Sequence, residues 1–113
     1  MRICIVAPYP LRDHAIDVMR RLELRGHEIT SRWLKAPDEM NDNYAREDLQ
    51  DVADAEMLLA LHPDGWEDRG TGGRHVEFGY ALALGKQVVL VGKRSNIFHH
   101  LDCVRVIERV EEL

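Results

Sequence analysis

The stretch from Gly70 to Gly92, GTGGRHVEFGYALALGKQVVLVG, constrains the fold more than any other part of the chain. It predicts a glycine-rich turn, a short apolar helix ended by Gly85, and a strand over Gln87–Val91. That strand is a continuous apolar, largely β-branched run, suited to burial on both faces, as in a parallel sheet with helices above and below. From Val76 to Gly85 the only ionisable acid or base, the weakly acidic Tyr80 aside, is Glu77. A lone carboxylate in so apolar a segment is either solvated at the helix start or used.

The rest of the chain supplies the matching units. Arg2–Ala7 predicts a buried strand that runs into Pro8-Tyr9-Pro10. Asp13 is expected to cap a helix reaching Arg25, with Ala15, Ile16, Met19, Leu22 and Leu24 on its core side and Gly26 as terminator. The alternation in His27–Trp33 predicts a second strand, and residues 34–43 a polar loop. Tyr44–Ala53 has helical spacing, with Tyr44, Leu49, Val52 and Ala53 facing the core and Glu47, Asp48 and Asp51 solvated. Glu56–Leu61 predicts the third strand, His62–Gly73 a long loop, Ser95–Leu101 a turn, and Val104–Ile107 a fifth strand. Strand and helix alternate without an internal repeat or linker. The expected fold is therefore α/β: one domain over 1–113, a doubly wound parallel five-stranded sheet of the flavodoxin or Rossmann kind, with helices on both faces.

Ligands of such sheets bind beyond the carboxyl ends of the strands. The loops expected there carry Tyr9, the Asp64–Gly73 segment and Lys93–Asn96. Gly70-Thr71-Gly72-Gly73 leads into a helix whose first amides favour an anion, but it matches neither the dinucleotide fingerprint nor a P-loop. Glu77 is not part of a capping box, because the position three residues earlier is Arg74. It either pairs with Arg74 or His75 or performs chemistry. Tyr9 either packs on the sheet edge or offers a phenol at the mouth of the site. Trp66 stacks on a flat ligand or packs within its loop, and Asp64 and Asp68 leave the same two alternatives.

Composition removes several partners. A formal net charge of -5 leaves no basic face for a nucleic-acid polymer or an anionic membrane. The apolar runs fall short of the ~20 residues of a membrane span. The N-terminal segment reads as a strand rather than a signal peptide. Cys4 and Cys103, both in apolar settings, are expected to be reduced core residues, which implies the cytoplasm. The 6 histidines have no metal-ligand spacing, so neither a metal nor another cofactor is expected.

The stretch GGRHVEFGYALALGKQVVLVG followed by NIFHHL resembles the nucleoside 2-deoxyribosyltransferase family, in particular its short phage-type and bacterial members. The resemblance extends to the N-terminal strand with its Tyr-bearing loop and to Arg46-Glu47-Asp48-Leu49 and Ala53-Asp54-Ala55-Glu56 before the third strand. It implies an enzyme of the N-glycosidic bond of a deoxyribonucleoside or its 5′-monophosphate, passing the sugar to another base or to water. Glu77 would be the nucleophile forming a glycosyl-enzyme, Tyr9 the residue orienting it, and Asp48 the group that protonates or holds the departing base. The positive end of the helix dipole is expected to keep Glu77 ionised. Candidate substrate contacts are Asp64, Asp68, Gly70, Thr71, Gly73, Arg74 and Asn96. A homodimer or higher homo-oligomer is implied, with Asn96 and Phe98 reaching the neighbouring subunit. The same fold also serves non-catalytic nucleotide-binding or sensing modules, which is the alternative.

Overall fold

The computed structural model of the chain describes residues 1–35, 42–63 and 72–113. Five strands, β1 (Arg2–Val6), β2 (Glu28–Ile29), β3 (Met57–His62), β4 (Gln87–Gly92) and β5 (Val104–Ile107), form one sheet in the order β2-β1-β3-β4-β5. Every pairing is parallel. The helices are α1 (Arg12–Leu24), α2 (Asp42–Asp54) and α3 (Gly73–Ala83). The expected doubly wound parallel α/β fold is the one observed.

Side chains alternate across the pleat and build two cores. Ile3, Ile5, Leu59, Leu61, Val89 and Ile107 face α1, where Ala15, Val18, Met19 and Leu22 meet them. Cys4, Val6, Leu58, Ala60, Val88, Leu90 and Val104 face the other way, toward Val52 of α2 and Phe78 and Ala81 of α3. The strand order reverses between β1 and β3, so the crevice beyond their carboxyl ends is the natural ligand position. Tyr9 follows β1 there, and α3 begins beyond the end of β3.

Several local expectations are corrected. The second strand is two residues long, because side chains take over its ladder. The Ser31 hydroxyl accepts the Ile5 amide, and the Trp33 indole donates to the Ile5 carbonyl at 2.8 Å. Freed from strand geometry, Arg32–Leu34 turns into a 3-10 helix. At α1 the cap position is Leu11, with no side-chain cap, and Asp13 lies inside the first turn. Leu24 is 89% exposed, and Val18 occupies the core position instead. Leu49 is exposed on α2 while Asp51 is buried at 3%, which inverts the expectation that Asp51 is solvated. Both cysteines are free thiols, but only Cys4 is in the core; Cys103 is exposed.

Gly26 and Gly85 stand as helix terminators with φ of +90° and +69°. Gly92 ends β4 at φ +113°, beneath the His62 carbonyl, which accepts the Lys93 amide at 2.9 Å. A Cβ at Gly92 would land on that carbonyl.

Candidate active site

Glu77 is the fifth residue of α3, one turn beyond Gly73, and is half-buried. Its neighbours Phe78 and Ala81 anchor that side of the helix in the core. The helix therefore carries Glu77 to where α2 packs against α3. Asp48 and Asp51 of α2 are close enough to act on its charge, and from β1 below, the Cys4 thiol feels the same carboxylate.

This environment decides the protonation states. Burial, reinforced by Asp48 and then Asp51, pushes the Glu77 carboxyl up to about 8. The expectation that the helix dipole keeps Glu77 ionised is therefore corrected. The dipole acts within the first turn, Glu77 lies past it, and desolvation beside two carboxylates dominates. Asp48, half-buried, is pushed up to about 6 by burial and by Asp51 and Glu47, with Arg32 pulling the other way. Burial also pushes Asp51 up, against hydrogen bonds from the Arg32 amide and guanidinium. Burial drives Cys4 to about 12, so it stays a thiol and is no competing nucleophile.

Asp48 and Glu77 are thus brought together, from segments 29 positions apart in the sequence. Tyr9 opens a 3-10 turn at the end of β1 and is 57% exposed. Gly73 is the first residue of α3, and Arg74, half-buried, follows it. The Asn96 side chain caps the turn over Ile97–His100, accepting the Phe98 amide at 2.9 Å. Asp64, Asp68, Gly70 and Thr71 lie outside the described residues, as does Trp66.

Sequence reasoning did not single out two features beside the site. One is the Arg32–Asp51 pair: Arg32 Nε donates to Asp51 Oδ1 at 2.7 Å and the Arg32 amide to Oδ2 at 2.9 Å. The available signal was that Asp51 lies three residues after Asp48, on the same helix face. The other is a histidine layer drawn from three separate segments. His99, buried at 3%, meets the Phe78 ring edge-on at 4.9 Å and has His62 and His75 at 6.5 and 6.4 Å. The Ser95 amide donates to its Nδ1 at 2.9 Å, and burial lowers its pKa to about 4, so it is neutral. With Arg74 these residues line a cavity of about 10 Å³, the volume of about one water. Among the described residues no group of three His, Cys, Asp or Glu is placed to hold a metal ion.

A far larger cavity, about 960 Å³, lies on the α1 side of the sheet and is lined by Val18, Arg21, Leu61, Val91 and Arg94 among others. Lys93 and Arg94 of the loop after β4 line it, but Tyr9, Asp48, Gly73, Arg74, Glu77 and Asn96 do not. Volume and perturbed carboxyls therefore point to different places, and the carboxyls mark the candidate site.

No known family profile and no curated protein matches the sequence. Solved structures do match its fold. A CMP N-glycosidase of Clostridium botulinum, BcmB, superposes with a TM-score of 0.65 at 18% identity, over 95% of this chain and 87% of that one. A 2-deoxyribosyltransferase from Leishmania mexicana superposes with a TM-score of 0.58 at 18% identity, over 84% of this chain and 66% of that one. The fold is the one those two proteins share.

Proposed function

We propose that the chain is an enzyme of the N-glycosidic bond, acting on a deoxyribonucleoside or its 5′-monophosphate with Glu77 as nucleophile. The observation that carries this reading is the convergence of Glu77 and Asp48, two carboxyls held at about 8 and about 6 in one half-buried site near the sheet's switch point. Two carboxyls set apart by their environment are what such chemistry uses as nucleophile and acid. The solved structures of the same fold are, by description, a CMP N-glycosidase and a deoxyribosyltransferase, which supports this chemistry over others.

At neutral pH the pair holds one proton, mostly on Glu77. When substrate enters, that proton passes to Asp48. A Glu77 oxygen then attacks the anomeric carbon as the bond to the base nitrogen breaks, and Asp48 gives the proton to the departing base. Water or a second base attacks the same carbon, releases Glu77 and returns a proton to Asp48. The Tyr9 hydroxyl orients the Glu77 carboxylate. Gly73, Arg74, Asn96 and the approach residues Asp64, Asp68, Gly70 and Thr71 hold base, sugar or phosphate. We assign a homo-oligomer, supported by the exposed apolar side chains Ile97, Phe98 and Leu101 beside Asn96, and a reducing, cytoplasmic setting, which two free thiols suit.

A non-catalytic nucleotide-binding module is the second reading. It is favoured by one observation: burial beside Asp48 and Asp51 pushes the Glu77 carboxyl up to about 8, which favours its neutral form at neutral pH. Incubation with deoxynucleosides plus a second free base, and with 5′-monophosphates in parallel, separates the two. Base release or exchange, with a deoxyribosyl adduct on the Glu77 peptide after acid quench, is the enzyme's result. Nucleotide binding without either supports the module. Turnover that survives Glu77→Ala unchanged removes Glu77 as nucleophile.

A further inference from the structure

Asp48 acts on the charge of Glu77 only if α2 is set at the right height over the sheet, and the segment after β2 grips α2 on both sides of Asp48. Besides its two bonds to the Asp51 carboxylate, Arg32 donates from Nη2 to the Glu47 carbonyl at 3.2 Å, and Nη1 lies 3.9 Å from the Glu47 carboxylate. The Thr30 hydroxyl, two residues before Arg32, donates to the Asp51 carbonyl at 2.8 Å. The gripped residues are the one before Asp48 and the one three after it, so a single guanidinium spans the turn that carries Asp48. The segment itself is pinned to β1 through Ser31 and Trp33.

A buried carboxylate with a half-exposed arginine is a weak source of net stability, since desolvation offsets the attraction. Its planar fork is instead a strong source of geometry. We propose that Arg32 is a positioning residue for the glycosyl-bond site, fixing α2 so that the Asp48 carboxyl is held against Glu77. The proposal rests on Glu77 and Asp48 being the reacting pair. The groups around that pair are Asp51, Glu47 and Arg32 from the α2 side and the Cys4 thiol from β1.

The test uses the full chain as wild type, Arg32→Lys, Arg32→Met, Asp48→Asn and the Arg32→Met/Asp48→Asn double variant. Turnover is followed on deoxynucleosides and their 5′-monophosphates, and Glu77 and Asp48 are titrated by NMR with carboxyl-13C labels. Both Arg32 single variants are expected to fold, Arg32→Met with reduced stability because the buried Asp51 carboxylate loses its partner. Arg32→Met is expected to lower kcat by roughly 10- to 100-fold with KM changed less than threefold. Arg32→Lys restores only part of it, because an ammonium cannot span the Glu47 carbonyl and the Asp51 carboxylate. The double variant is expected to be no slower than Asp48→Asn, as required of a residue that acts through Asp48. In the titration, Arg32→Met lowers the Glu77 pKa by the part that Asp48 contributes, as Asp48 draws away, while burial keeps the remainder of the shift. A folded Arg32→Met with kcat within twofold of wild type, a double variant slower than Asp48→Asn by the full single-variant factor, or unmoved titrations would each overturn the proposal. Should Arg32→Met not fold, Arg32→Lys carries the same titration and rate comparisons. Absence of turnover in the wild type defeats the enzymatic reading alone, and the titration still decides whether Arg32 sets the pair.

Discussion

Asp48 on α2 raises the pKa of Glu77 on α3 across the boundary between the two helices, with Asp48 itself at about 6 and Glu77 at about 8. Between those values the pair carries a single proton. In the proposed mechanism only that state holds both a nucleophile and a proton for the leaving base, so its population would set the pH dependence.

The kcat/KM profile is therefore expected to be a bell, rising with an apparent pKa near 6 and falling near 8. Below the acid limb both carboxyls are protonated and no nucleophile forms; above the alkaline limb no proton remains for the base. Asp48→Asn should cost ~10²- to 10⁴-fold and remove the alkaline limb. Rates measured from pH 5 to 9 check this, and a flat profile across that range contradicts the shared-proton mechanism.

The same carboxyl predicts how stability varies with pH. The Glu77 pKa is raised on folding, so the native state binds more protons than the unfolded chain between the ordinary carboxyl value of 4.5 and about 8. Its contribution is fully present below 4.5 and lost as pH rises through 8. His99 works in the opposite sense, its lowered pKa costing stability as pH falls from 6.5 toward 4. Above pH 6.5 Glu77 is the dominant of the two. Glu77→Gln, which cannot ionise, should be more stable than wild type at pH 8.5 by roughly 1–3 kcal/mol and near equal at pH 5. Paired thermal melts at the two pH values give the difference directly. A constant gap between the proteins would mean that Glu77 is not held in the desolvated environment described.

Ser31 offers a test of how the second strand is replaced. Its hydroxyl, fully buried, accepts the Ile5 amide in the middle of β1. Ser31→Ala leaves that amide without its acceptor and should cost about 1–3 kcal/mol in urea unfolding. Ser31→Thr keeps the acceptor and is the control for lost packing. If Ala and Thr are equally stable, the hydroxyl is not what substitutes for the ladder.

The parts of the fold written locally were legible in the sequence. The β-branched runs at β4 and β5, and Gly26 and Gly85 at the helix ends, carry their own geometry and appear where expected. What failed had its cause elsewhere in the chain. The alternation of His27–Trp33 says strand, but Ser31 and Trp33 reach across to Ile5 with their side chains and end it after two residues. Asp51 looks like any acid on a solvated helix face until Arg32, 19 positions earlier, closes over it. Glu77 was legible as the odd acid of an apolar helix, yet its charge state was not, because desolvation by α2 and β1 is a tertiary effect. The pairing with Asp48 came from the resemblance of Arg46-Glu47-Asp48-Leu49 to a known family, since no local pattern joins the two residues.

Gly92 tests whether the β3–β4 edge sets the mouth of the site. It is paired with His62 in the ladder, adopts φ +113°, and leaves no room for a Cβ against the His62 carbonyl. The obstacle is backbone, which no rotamer change relieves, and the dihedral is one that L side chains rarely adopt. Gly92→Ala must therefore push β4 away from β3 where Lys93 bonds the His62 carbonyl, with an expected cost of at least about 2 kcal/mol. His62 neighbours His99, whose ring supports Phe78 next to Glu77, so the displacement should also reach the site. A loss of turnover larger than the unfolded fraction explains, measured at a temperature where the variant is folded, is the expected result. Gly85→Ala is the comparison: it also has positive φ, but its Cβ would meet open space, so it should lose stability from strain alone and keep the activity of the folded fraction.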